Sequence, residues 1–144
     1  AFGRGPETWP AYPDSGAALK ALQARAKIGA LSNIDEASLQ GSCRKLDIAF
    51  DLVVTAERVR NYKPALPHFT TALAELQAMG ISKHRVLHVA QSLRADVAPA
   101  NALGLTCVWV NRKGRQLGLT GAGTAEAKPD LTVASLEELL RKVA

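Results

Sequence analysis

Residues 86–110 read VLHVAQSLRADVAPANALGLTCVWV. Two apolar runs, Val86 to Gln91 and Leu105 to Val110, bracket a stretch of helical character. The second run is the most strand-like in the chain. Between them, Ala95 to Leu103 reads as a helix, with Pro99 near its first turn and Gly104 just past its end. Two strands joined through a helix close as a right-handed parallel crossover. Parallel strands are apolar on both sides, so the sheet needs helices on both faces.

The same alternation continues outward. Leu131 to Val133 reads as a short strand, and the last helix has the clearest signature. There Ser135 and Glu138 form a capping box, and Leu136, Leu139, Leu140 and Val143 make one apolar stripe. Toward the N-terminus, residues 15–26 read as a helix capped by Asp14 or Ser15, with Ala18, Leu19, Leu22 and Ala26 on one side. A strand from Ile28 to Ser32 follows, then a helix from Asp35 to Leu46 and a strand from Leu52 to Thr55. Leu66, Phe69, Leu73 and Leu76 step at helical spacing, and Gly80 ends that helix. The pattern is α/β throughout. It opens on a helix, because residues 1–14 supply no strand: Trp9, Pro10, Tyr12 and Pro13 read as a stiff extended segment. Residues 112–130 read as a long polar loop.

Composition narrows the class. The chain has 144 residues, 47% apolar and 22% charged, with a formal charge of +5. That balance excludes a disordered tail, a coiled coil and a collagen-like chain. No apolar run approaches the roughly 20 residues of a membrane span, and Ala1 to Gly5 lacks a signal-peptide core. The positive charges are spread out, which reads as a solvated surface and not a nucleic-acid footprint. Cys43 and Cys107 form no metal or disulfide spacing and read as reduced thiols of a cytoplasmic protein. The only methionine is Met79 and the chain begins at Ala1, which reads as a processed chain or a piece of a longer one.

In an open parallel sheet, ligands sit beyond the carboxyl ends of the strands. The residues there are Ser32 and Asn33, then Thr55 with the loop to Lys63, then Gln91, Ser92 and Asp96, then Asn111 and Arg112. Hydroxyls, a lysine and a carboxylate on one edge suit an anionic substrate. Plainer roles compete. Ser32 could cap the next helix, and Asp96 could answer a helix dipole. Asp14 reads as a cap only, His88 as packed, and His68 and His84 as surface residues. Lys63 precedes a proline at a helix start, where the dipole disfavours a cation, so it reads as functional. The stretch Gly118 to Gly123 joins no strand to a helix and ends in no Gly-Lys-Ser/Thr, so it is no nucleotide loop.

Leu31-Ser32-Asn33, Tyr62-Lys63-Pro64, the run His88 to Asp96, Gly104-Leu105 and Trp109 to Arg112 occur in this order. Together they resemble the haloacid dehalogenase superfamily, in particular its type II haloacid dehalogenase-like hydrolases, from about Trp9 to the C-terminus. The resemblance implies a Rossmann-like core with an inserted cap, residues 1–14 being the return from cap to core and 15–144 an incomplete core domain. It implies that Lys63 and Asp96 are catalytic and that Ser32, Asn33 and Ser92 bind substrate. The family's nucleophile is an Asp on a first, central strand. No D-x-[DYF]-G-T segment occurs here, so that strand is missing from the pattern. Ala90-Gln91-Ser92 stands where magnesium-dependent phosphatases carry Gly-Asp-Ser, and Leu93 where dehalogenases carry Asn. Gln91 removes an anionic ligand, so no metal or other cofactor is expected.

The implied function is part of a hydrolase that works through an aspartyl ester on a 2-haloacid or a phosphate ester. On its own the chain is expected to be inactive. The alternative is a non-catalytic domain that keeps the anion pocket for a ligand or partner. In the family the central strand lies between the strand ending at Ser32 and the one ending at Gln91. Without it two inner strands lose a neighbour, and each unpaired buried group costs roughly 1–3 kcal/mol. The isolated 144 residues are therefore expected to be poorly soluble, partly molten, or dimeric through those edges. Thermal unfolding and sedimentation check this: a sharp two-state melt from a monomer goes against it.

Overall fold

The computed structural model describes residues 8–114 and 127–143. Its layering follows from the strand Thr106–Val110, the apolar run singled out above. Cys107 and Trp109 enter one buried cluster, while Val108 and Val110 enter another. Period-two alternation with apolar residues on both sides is what a doubly covered strand requires.

The described strands are β1 (Gly29–Ser32), β2 (Leu52–Thr55), β3 (Leu87–Ala90), β4 (Thr106–Val110) and β5 (Leu131–Val133). All pairings are parallel, β1 with β2, β3 with β4 and β4 with β5. The strands fall into two sheets, β1-β2 and β3-β4-β5, because β1 and β3 are not hydrogen-bonded to each other. The sheet is thus parted where the family resemblance puts a further strand.

The helices are α1 (Ser15–Gln23), α2 (Glu36–Leu46), α3 (Ala56–Val59), α4 (Pro67–Ala78), α5 (Ala98–Ala102) and α6 (Leu136–Val143). On one face, Leu22 of α1 and Leu136 and Leu139 of α6 pack on Val108, Val110 and Val133. On the other, Phe69 and Leu73 of α4 meet Val97, Ala100, Cys107 and Trp109. Helix α4 also serves the smaller sheet, since its Ala72 packs with Leu52 and Val54. Leu31 of β1 touches both clusters. One helix therefore supplies apolar contacts to both halves of the parted sheet.

Local signals explain most boundaries. Asp35 caps α2, its carboxylate accepting from the Ser38 N–H at 2.7 Å. Gly80, at φ +80°, ends the turn after α4 in the left-handed region that favours glycine. Ser135 accepts from the Glu138 N–H at 3.0 Å, and the Glu138 carboxylate accepts in turn from Ala134. Two elements differ from the expectation. Thr55 caps an extra single-turn helix, α3, where the sequence predicts a loop. The helix after β3 starts early, as a π turn over Leu93–Val97 that leads into α5. The stretch Gly118 to Gly123 and most of the polar segment 112–130 lie outside the described residues.

Asp14 departs from its expected role. It makes no side-chain cap on α1. Its carboxylate instead accepts from Leu136 N–H at 2.9 Å and Glu137 N–H at 3.2 Å, capping the far-off α6. Arg112 donates to the same carboxylate at 2.9 Å and lies over the Tyr12 ring, 4.0 Å from its centroid. Burial pushes the Asp14 carboxyl up, but Arg112 and the Glu137 N–H outweigh it and hold it below the ordinary carboxylate range. A lowered folded value means that the stabilisation is present above the unfolded pKa of about 3.9 and is lost as pH falls through the folded one. Asp14→Ala removes a cap and orphans a largely buried guanidinium. It is expected to cost about 1–3 kcal/mol in urea unfolding at pH 7, and less at pH 3.

Candidate active site

Lys63 lies in the loop between α3 and α4. Helix α4 begins only at Pro67, so the dipole argument made from a helix start at Lys63 does not apply. What holds the ammonium is a pair of acceptors. Nζ donates to the Leu31 carbonyl at 2.8 Å and to Asp96 Oδ1 at 2.5 Å. The Ile28 carbonyl accepts from Asp51 on the β2 side. Carbonyls alternate along a strand, so that of Leu31 faces the edge of β1 away from β2. Lys63 thus satisfies an edge acceptor of the smaller sheet and reaches the turn after β3 in the larger one.

Asp96 comes from the π turn. Ser92 caps that turn, its hydroxyl oxygen accepting from the Ala95 N–H at 3.0 Å. The widened turn brings the Asp96 carboxylate back to Lys63; such turns recur at functional sites. The pair is buried, with side chains 8% and 10% exposed. His88 Nε2 lies 3.4 Å from the same oxygen, and its ring meets Phe69 edge-on at 5.1 Å. His88 is therefore packed, as expected, and also faces the ion pair. Burial raises the Asp96 carboxyl, but the side-chain bonds from His88 and Lys63 and the positive charge of Lys63 outweigh that and hold it below the ordinary range.

The other candidates divide. Ser32, the last residue of β1, has a half-buried side chain whose hydroxyl makes no hydrogen bond among the described residues. Asn33 was expected to bind substrate, but its amide is committed to the Lys63 backbone. Oδ1 accepts from the Lys63 N–H at 2.7 Å and Nδ2 donates to the Lys63 carbonyl at 3.1 Å. In this arrangement Asn33 positions Lys63. Ser92 keeps a hydroxyl proton while its oxygen caps the π turn.

His68 corrects the reading of a surface residue: it is fully buried in α4. The missed signal was spacing. His68, Ala72 and Leu76 stand four apart, which puts the histidine on an apolar face. Its Nε2 lies 3.0 Å from the Ser32 carbonyl.

Beyond β4, a shallow cleft is lined by Tyr12, Gln91, Trp109, Asn111, Arg112 and Lys113. The Trp109 indole N–H donates to the Gln91 carbonyl at 3.1 Å and fixes that turn. The described residues supply few hard anionic ligands for a metal such as magnesium. Gln91 offers a neutral amide, Asp96 is held by Lys63 and His88, and no three His, Cys, Asp or Glu side chains gather among the described residues. Cys43 and Cys107 are free thiols, and burial pushes Cys107 up to about 11. No described helix is long and apolar enough to cross a membrane.

Comparison with known proteins gives the chain a family. A family model for haloacid dehalogenase-like hydrolases fits residues 3–104. The chain belongs to the haloacid dehalogenase-like hydrolases. It is 32% identical over 139 residues to haloacid dehalogenase-like hydrolase domain-containing protein 3 of Danio rerio. That match covers 94% of this chain and 53% of the relative, so the chain spans about half the length of the curated relative it matches. Among solved structures, a haloacid dehalogenase-family phosphatase from Thermococcus onnurineus is 27% identical with a TM-score of 0.76, over 98% of this chain and 61% of that one. The L-2-haloacid dehalogenase from Xanthobacter autotrophicus with chloropropionic acid covalently bound is 25% identical with a TM-score of 0.77. That alignment covers 97% of this chain and 63% of the dehalogenase.

Within this haloacid dehalogenase-like core, removing one partner of a buried ion pair leaves the other charge uncompensated, at a cost of about 3–5 kcal/mol. Asp96→Asn is expected to lose that much in denaturant unfolding at pH 7. The double variant Asp96→Leu with Lys63→Met is expected to recover most of it. Because the Asp96 carboxyl is lowered on folding, its contribution holds above the unfolded pKa and fades as the solution is acidified. The deficit of Asp96→Asn therefore shrinks toward pH 3.

Proposed function

We propose that these residues form the anion-binding and charge-positioning half of a haloacid dehalogenase-like hydrolase that acts on a small anionic substrate, a 2-haloacid or a phosphate ester. The nucleophile is an aspartate that these 144 residues do not include in the family's motif. In the haloacid case its carboxylate oxygen bonds to the substrate carbon while the carbon–halogen bond breaks and halide leaves with the electron pair. Water then cleaves the ester, returning the carboxylate and releasing the hydroxy acid. In the phosphate case the same oxygen attacks phosphorus, an alcohol leaves, and water releases inorganic phosphate. Either route is covalent catalysis in two steps. Lys63 keeps the attacking carboxylate ionised and faces the developing charge. Ser32 donates to the substrate's anionic oxygens from the end of β1, and Ser92 does so from the turn after β3. Asp96 and Asn33 hold Lys63 in place.

The observation that carries this reading is the buried Lys63–Asp96 pair at the parting between β1 and β3. A buried lysine tied to a strand edge is costly as mere decoration. A second reading, a ligand-binding domain without turnover, draws on Gln91 and on the absent Asp motif. The sequence encoded upstream separates them, since an intact Asp motif there favours the enzyme.

In the full hydrolase, Lys63→Ala is expected to lower kcat by about two to three orders of magnitude, the scale of one electrostatic donor at a reacting centre. Lys63→Arg should fail as well, because a planar fork does not fit a site built for a point charge. Assays of halide release from 2-haloacids and of phosphate release from phosphate monoesters, with folding checked by circular dichroism, test this. Near-normal turnover in Lys63→Ala discards the site.

A further inference from the structure

His68 presents a polar ring where packing asks for none. It is fully buried on the face of α4 that also carries Ala72, and next to Phe69. Its Nδ1 is buried with no hydrogen-bond partner among the described residues. Such an orphan nitrogen costs roughly 1–3 kcal/mol, and an apolar side chain of similar size would avoid it. A buried unsatisfied group calls for an explanation. Here the other ring nitrogen supplies it. Nε2 lies 3.0 Å from the Ser32 carbonyl, which can only accept. Nε2 must therefore carry the proton, which leaves Nδ1 as a bare lone pair.

We infer that His68 is a positioning residue of the anion site: from Nε2 it clamps the Ser32–Asn33 peptide, and so fixes both the Ser32 hydroxyl and the Asn33 amide that holds Lys63. This rests on the reading of Ser32 as a substrate donor. The clamped peptide lies between two site residues. Ser32 ends a strand of only four residues, and Asn33 bonds the Lys63 backbone at both ends of its amide. The clamp rides on α4, which Phe69 and Ala72 fix in two apolar clusters. Protonating Nδ1 would place a second, buried N–H where no acceptor lies among the described residues, and would add a charge near Lys63. Asp96 acts in the opposite sense but is already bonded to Lys63 and His88. Burial is the main reason that the His68 imidazole is lowered from its ordinary value.

The test uses the full protein that carries these residues, labelled with ¹⁵N-histidine, and inorganic phosphate as the probe. Imidazole ¹⁵N signals should show the neutral Nε2–H tautomer of His68 from pH 5 to pH 8. His68→Leu fills the space without a donor. It is expected to melt no lower than the parent by more than a few degrees, yet to bind phosphate about five-fold more weakly, the scale of one hydrogen bond. His68→Gln, whose Nε2 can reach the same carbonyl, should restore affinity to within about two-fold of the parent. A packing role alone predicts no such rescue. Unchanged phosphate affinity in His68→Leu overturns the proposal while leaving the anion site intact. So does an Nδ1–H or protonated ring, which decides the matter even where His68→Leu does not fold. If the parent itself binds no phosphate, the anion-site reading falls first, and the clamp falls with it.

Discussion

The Lys63–Asp96 ion pair is the constraint around which the rest of the site is arranged. Taking two charges out of water costs several kcal/mol per ion, and their attraction offsets this only when the remaining hydrogen-bonding capacity is met. Here each charge has a second partner. The ammonium also reaches the Leu31 carbonyl, and the Asp96 carboxylate also faces His88. Each requirement fixes a piece of backbone. The π turn must widen to deliver Asp96, and Asn33 must hold the Lys63 loop from both ends. The Leu31 carbonyl, near the end of β1, must be open to the ammonium. Because the pair joins elements from both sheets, it also ties them together across the parting.

Two further ties complete the frame, and they differ in kind. Helix α4 is an apolar tie, with Phe69 buried against one cluster and Ala72 against another. The Asp14–Arg112 pair is a polar one, linking the N-terminal segment to the turn after β4 and to the start of α6. Both reach the strand ends: Arg112 lines the cleft beyond β4 and α4 sets His68 against the Ser32 carbonyl, and a site there is only as rigid as the elements behind it. Solved structures of similar likeness to this chain include both a phosphatase and a dehalogenase. In this chain Gln91 lines the cleft beyond β4 and the Asn33 amide is committed to the Lys63 backbone.

The sequence by itself determined the α/β class, the parallel crossovers and the position of nearly every strand. Those features rest on local periodicity and on turn chemistry that each segment carries within itself. Leu52–Thr55 and Leu131–Val133 have the bounds their apolar runs predict, and Ser135 caps α6 as its spacing requires. Lys63, Asp96 and Ser32 were legible as candidates because they follow strand ends and match an ordered set of motifs. Tertiary structure alone decided what each one touches. Asp14 looked like the cap of its own helix and serves α6, because a carboxylate settles where an unpaired guanidinium and orphan N–H groups converge. His68 looked exposed because histidine is polar, yet α4 buries it. Asn33 looked like a substrate donor, yet the Lys63 loop folds back onto its amide. These outcomes depend on partners about 30 to more than 100 residues away, whose distance in space no local pattern encodes.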